Sequence, residues 1–366
     1  MTKQYDENMI TQTRLARPDV KFFDVTEPPV RFYGVFCEDG LLRRLPIGVA
    51  KTVSKGIHEM CGTNAGGRVR FMTDSPYVAI AVEYSQYELS NIIPISNMAG
   101  LDMYADSAFV GLFRPPLDFC GEPFASSLDI PDALPCDEPA HSFTHERKMR
   151  LITINLPTYS GLRSMRVGIA SGAKISHAPD YSLEKPIVFY GSSITNGAAA
   201  SRPGMTYEAR VSRALDVNYI NLGFGGLCKG EPEMADHIAG LDMSVFVMDY
   251  DHNASTPEYL ASTHEPFFKR IREKNPEIPI IIISRPNYSK DAPERLAIIK
   301  RTYENARASG DTNVYFIDGR EFFGGDLDFT VDTIHPTDMG FYCMAKRVTE
   351  VLHPLVNATL KGKIGS

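Results

Sequence analysis

The stretch IVFYGSSITNG, residues 187–197, decides how this chain reads. Its first four residues are apolar without polar alternation, which predicts a strand buried on both faces, as in a parallel sheet. Gly191 breaks the run, and Ser192 and Ser193 then stand where a helix would begin. A serine there is either an N-cap or a hydroxyl presented where backbone N–H groups converge. The stretch alone leaves both readings open.

Downstream the texture repeats. Largely apolar runs at 217–222, 244–249, 278–283 and 314–317 alternate with amphipathic segments at 206–215, 231–238, 257–274 and 293–308. A last helix is predicted from about 339 to 355. This alternation predicts a three-layer α/β/α domain. Upstream, short alternating runs at 68–72, 77–84, 108–114, 149–156 and 165–170 are separated by turn clusters such as 64–67 and 115–118. They predict an antiparallel β-sandwich of jelly-roll type. Residues 178–182 (APDYS) read as a linker, so the expected domains are 1–180 and 181–366.

Composition narrows the function. With 366 residues, 43% hydrophobic and 23% charged, the chain has a globular balance and room for about two domains. Its net charge of −7 and lack of a clustered basic run exclude a nucleic-acid partner. No apolar stretch approaches the ~20 residues a membrane-spanning helix needs. The polar N-terminus lacks the apolar core of a signal peptide. Cys37, Cys61, Cys120, Cys136, Cys228 and Cys343 are scattered without a CxxC pair, as expected of buried thiols in a reducing compartment. The expected location is cytoplasmic.

In an open parallel sheet the ligand lies beyond the carboxyl ends of the strands. The loops after the expected strands hold Ser192-Ser193, then Asn221 to Gly226, then Asp251-His252-Asn253, and finally Asp332-Thr333-Ile334-His335. Gly223 and Gly225 begin a GxGxxG pattern, but Cys228 occupies the third glycine's place and a dinucleotide site is not expected. Asn253 is a turn residue or an amide donor to an oxyanion. Asp and His three residues apart fit a turn in which the carboxylate reaches the imidazole Nδ1. His58, His141, His145 and His237 lack ligand partners at useful spacing, so no metal is expected. Arg285 reads as half of a surface ion pair, and 269–274 as a solvated helix face.

Taken in chain order, these blocks resemble the SGNH (GDSL-type) hydrolase superfamily over about residues 185–355. The resemblance implies a flavodoxin-like fold with Ser193 as nucleophile, Asp332 and His335 completing a triad, and an oxyanion hole from Ser193, Gly226 and Asn253. Ser192 departs from the usual Asp of the first block, and Asp251-His252-Asn253-Ala254 from the usual Gly-x-Asn-Asp, which implies a more polar pocket mouth. Upstream, Gly100-Leu101-Asp102-Met103-Tyr104 resembles the GxDLY signature of a β-domain that precedes some such esterases, with Met103 in place of Leu. Arg43-Arg44-Leu45-Pro46 resembles the arginine–leucine–proline segment of that module.

The implied activity is cleavage of a small acyl ester, an acetyl ester on a carbohydrate, through an acyl-enzyme on Ser193 and without a cofactor. The alternatives are an acyltransferase with the same triad and an inactive ligand-binding protein. The expected partner is a small-molecule ester such as an acetylated sugar; a homo-oligomer stays open.

Overall fold

A computed structural model describes residues 15–137, 147–286 and 290–364; His141 and His145 lie outside the described residues. The N-terminal part is a pair of antiparallel sheets. One orders Val20–Asp24, Ser160–Ala170, Tyr77–Tyr87 and Phe124–Asp129. The other orders Ile175–Ser176, Arg68–Thr73, Arg150–Asn155, Leu101–Ala105 and Ala108–Phe113, with Arg31–Tyr33 also paired to Arg68–Thr73. Alternation puts Val78, Ile80 and Val167 of the first sheet against Val69, Phe71, Ile152 and Ile154 of the second. Met103 is fully buried in this core. Methionine for leucine there roughly conserves volume, so the sandwich tolerates that departure from GxDLY.

The C-terminal part is a five-stranded parallel sheet ordered Val217–Gly223, Leu183–Gly191, Val245–Asp249, Ile280–Ile283, Val314–Ile317. In order of strands along the chain this is 2-1-3-4-5, the flavodoxin-like order. Burial on both faces explains the unalternating sequence: Ile280 to Ile283 are at most 1% exposed. Each such side chain contributes about 1.5–3 kcal/mol on leaving water. Helices Tyr207–Leu215 and Asp338–Ile364 cover one face, and Pro232–Ala239, Pro257–Lys274 and Ala292–Ala308 the other.

Several expectations need correction. Helices Ile47–Val53 and Lys55–Met60 stand within the part expected to be a β-sandwich. At seven and six residues they are too short to display a 3.6-residue period. Leu45, Ala50, Ile57 and Cys61 from this segment pack into the core on one face of the parallel sheet. The last helix runs to Ile364, past Pro354. All six cysteines are free, but only Cys61 and Cys228 are buried, while Cys37, Cys120 and Cys136 are exposed. Arg285 is buried, not on the surface, and pairs with Asp251 at 3.1 Å. In the run 269–274, Arg272 turns inward to Asp311 at 2.8 Å.

Candidate active site

The site grows from the end of strand Leu183–Gly191. Gly191 is required there: a Cβ would lie 2.0 Å from Thr195 Oγ1 and 2.5 Å from Asp249 O. The chain turns directly into the short helix Ser193–Asn196. The two serines make different contacts. Ser192 is fully buried and caps the helix, its Oγ accepting from Ile194 N–H at 3.2 Å. Ser193 is partly exposed and its Oγ lies 2.8 Å from His335 Nε2.

His335 comes from the loop before the last helix. Its Nδ1 lies 2.7 Å from Asp332 Oδ2. A carboxylate only accepts, so Nδ1 carries the proton and the Nε2 lone pair faces Ser193. Asp332 Oδ1 accepts from the backbone N–H groups of His335 at 2.8 Å and Ile334 at 3.1 Å, which closes the turn. Thr333, at φ 70°, holds the left-handed conformation inside it. The turn is clamped outside by Val331 N–H to His335 O at 2.8 Å and Thr337 N–H to Phe329 O at 2.8 Å. Burial pushes the Asp332 carboxyl up, but hydrogen bonds from the His335 backbone and ring outweigh it and hold its pKa below the usual value.

Gly226 and Asn253 arrive from the next two strands and meet. Gly226, at φ 70°, donates its N–H to Asn253 Oδ1 at 3.1 Å. Asn253 Nδ2 donates to Phe224 O at 3.1 Å. An amide nitrogen carries two hydrogens, so one Asn253 N–H remains for another acceptor. Gly223 meets the Ser193–Asn196 helix so closely that a Cβ would lie 2.5 Å from Asn196 N. The structure therefore brings Ser193, Gly226, Asn253, Asp332 and His335 to one end of the parallel sheet. Asp251 does not face the mouth. It is 1% exposed and held by Arg285 and Arg295, which corrects the expectation of a polar entrance there.

The N-terminal part also reaches the site, which spacing within the blocks did not reveal. Asn97 Nδ2 donates to Gly197 O at 2.8 Å, at the end of the serine helix. Asn196 Nδ2 donates to Thr158 O at 3.3 Å. A Cβ on Gly225 would meet the buried Tyr159 hydroxyl at 3.3 Å and Ser193 Cβ at 3.4 Å. The GxDLY aspartate is a junction: Asp102 is fully buried and accepts from Arg202 Nη1 at 2.6 Å, Gly204 N–H at 2.9 Å and Asn155 Nδ2 at 2.8 Å. Among the described residues no cluster of three or more His, Cys, Asp or Glu could hold a metal ion. No helix among them is long and apolar enough to cross a membrane.

Residues 184–353 match the GDSL-like Lipase/Acylhydrolase family, and residues 20–175 match the family described as the N-terminus of Esterase_SGNH_hydro-type, GxDLY. Among solved structures the chain is similar to one assigned as a GDSL-like lipase from Bacteroides ovatus ATCC 8483. The identity is 27%, the TM-score 0.79, and the match covers 92% of this chain and 98% of that one. It is also similar to the salicylyl-acyltransferase SsfX3 from a tetracycline biosynthetic pathway (22% identity, TM-score 0.71, covering 90% and 95%). A third is the acetyl xylan esterase Est2A from the rumen bacterium Butyrivibrio proteoclasticus (13% identity, TM-score 0.58, covering 92% and 99%). Below 25% identity the likeness is one of fold. No curated protein matches the chain.

Proposed function

From the premise that the chain belongs to the GDSL-like lipase/acylhydrolase family and is an ester-bond hydrolase, we propose that it cleaves small acyl esters through an acyl-enzyme on Ser193. The observation that carries this reading is the unbroken relay from Ser193 Oγ to His335 Nε2 at 2.8 Å and from His335 Nδ1 to Asp332 at 2.7 Å. His335 takes the hydroxyl proton as Oγ attacks the ester carbonyl. The tetrahedral oxyanion accepts from the N–H groups of Ser193 and Gly226 and from the Asn253 amide. Before that, Gly226 N–H is occupied by Asn253 Oδ1 at 3.1 Å. The oxyanion thus shares or displaces that bond. Collapse expels the alcohol, which takes the proton back from His335. Water then repeats the cycle on the acyl-enzyme and releases the acid. Asp332 keeps the imidazole in the required tautomer throughout.

The same reading divides the chain into a sandwich domain, 1–180, and a catalytic domain, 181–366. It assigns an acetylated carbohydrate as substrate, with the acetyl xylan esterase of the same fold as support. The six free thiols suit a cytoplasmic location. The salicylyl-acyltransferase of the same fold makes transfer to an acceptor alcohol the reading to separate from hydrolysis.

The test is a panel of acetylated mono- and oligosaccharides and p-nitrophenyl esters, assayed with and without acceptor alcohols. Acetate release that is independent of acceptor, and abolished by Ser193→Ala, is expected. Acyl product that forms only with an acceptor would replace hydrolase by transferase. Turnover that survives Ser193→Ala would remove the nucleophile assignment.

A further inference from the structure

The N-terminal part sends one guanidinium beneath the catalytic loops. Arg44 follows the strand Leu41–Arg43 and is 3% exposed. Its Nη1 donates to Gly223 O at 2.7 Å and lies 3.3 Å from Asn221 O and 3.4 Å from Asn221 Oδ1. Its Nε donates to Thr63 O at 3.0 Å and its Nη2 to Thr63 Oγ1 at 2.7 Å. The guanidinium carbon stands 4.2 Å from the centroid of the Phe224 ring. Every acceptor named here is neutral. Burial pulls the Arg44 pKa down to about 10, so the group keeps its charge at neutral pH.

A buried cation held only by neutral acceptors is a poor device for stability, since apolar packing does as well without the desolvation penalty. Its contacts suggest another use. Asn221 and Gly223 end the strand whose turn carries Gly225 and Gly226. Asn221 Nδ2 also donates to Thr195 O at 2.5 Å, inside the helix that begins at Ser193. Phe224, packed on the guanidinium, offers its carbonyl to Asn253 Nδ2, and Asn253 Oδ1 receives the Gly226 N–H. One side chain therefore braces the glycine turn directly, the helix that begins at Ser193 through Asn221, and Asn253 through Phe224.

We propose that Arg44 is a positioning residue for ester cleavage: it fixes the turn 223–226 and Asn253, whose N–H groups the oxyanion meets. The role rests on the reading of Ser193, His335, Gly226 and Asn253 as the catalytic group. Arginine suits it because a planar fork serves several carbonyl oxygens at once, whereas lysine presents a point charge.

The experiment compares Arg44→Met and Arg44→Lys with the wild type in the full chain. It measures kcat and KM with p-nitrophenyl acetate, the active-site titre with a fluorophosphonate, and inhibition by phenylboronic acid, whose adduct on a serine mimics the tetrahedral intermediate. Misplacement by about 1 Å lowers rates on the order of 10²-fold, and that loss of kcat per titrated site is expected for Arg44→Met. KM should stay within about twofold and boronic-acid affinity should fall in step with kcat, because only transition-state binding is affected. Arg44→Lys should lie between the two and decides the matter if Arg44→Met does not fold. A variant with a lower titre or melting temperature, but wild-type kcat per site and wild-type boronic-acid affinity, would reduce Arg44 to a structural part and overturn the proposal. Ser193→Ala separates the two readings. If it retains turnover, the catalytic assignment falls and this role with it. If it is inactive while both Arg44 variants keep kcat, only the positioning role falls.

Discussion

Replacing Asp102 with alanine should loosen the junction between the sandwich and the parallel-sheet domain. The carboxylate is fully buried and accepts three hydrogen bonds, from Arg202 Nη1 at 2.6 Å, Gly204 N–H at 2.9 Å and Asn155 Nδ2 at 2.8 Å. Alanine leaves all three donors facing a cavity. Arg202 is only partly stranded, because Nη1 also meets the Tyr104 hydroxyl at 2.6 Å and the guanidinium stacks 3.7 Å from the Phe109 centroid. Gly204 N–H and the Asn155 amide each lose the Asp102 carboxylate as their acceptor. Removing one member of a buried, hydrogen-bonded charge pair typically lowers stability by about 3–5 kcal/mol. The two stranded neutral donors point the same way, at about 1–3 kcal/mol each. A loss of about 3–5 kcal/mol is therefore expected for Asp102→Ala. Asp102→Asn should fare little better, since its NH2 group adds a donor to a ring of donors. The assay is urea unfolding followed by circular dichroism, with the midpoint falling while the m-value holds. A midpoint unchanged to within the equivalent of 1 kcal/mol would refute the junction argument.

Two further outcomes follow from the geometry around the serine. Asp332→Asn should lower kcat on the order of 10³–10⁴-fold with little change in KM, because an amide no longer holds the Nδ1–H tautomer; steady-state kinetics check this, and a loss confined to KM contradicts it. Asp249 lies below the serine helix, 3% exposed, and burial raises its pKa to about 8 against hydrogen bonds from the Tyr207 and Thr195 hydroxyls that lower it. A carboxyl raised in the folded state and ordinary in the unfolded state loses stability as pH climbs from about 4 through 8. Asp249→Asn should therefore flatten that part of the stability–pH curve, measured by urea titration at several pH values; a parallel curve would contradict the assignment.

The parallel sheet was legible because two-sided burial writes itself as unbroken apolar runs. The runs at 187–190 and 314–317 fall inside the strands Leu183–Gly191 and Val314–Ile317. The spatial meeting of Ser193, Asn253, Asp332 and His335 was legible for a related reason, since each follows an expected strand and such loops converge at one sheet edge. Pairs joined across the two parts were not. Arg44 and Gly223, or Asp102 and Arg202, are 179 and 100 residues apart, and neither periodicity nor local spacing encodes such contacts. The contacts of the serine pair were not legible because capping and presentation to a base use the same hydroxyl chemistry; in the structure Ser192 meets Ile194 N and Ser193 meets His335 Nε2. Burial of Arg285 was hidden by its charge, since its compensation by Asp251 depends on a loop 34 residues away.

We propose Ser193 as the nucleophile, activated by His335. The direct measurement is to label the full chain with a fluorophosphonate at neutral pH, digest it, and map the adduct by mass spectrometry in the wild type and in His335→Ala. One adduct on Ser193, formed far more slowly in His335→Ala, is the predicted result. An adduct on Ser192, or labelling of Ser193 at an equal rate without His335, would contradict it.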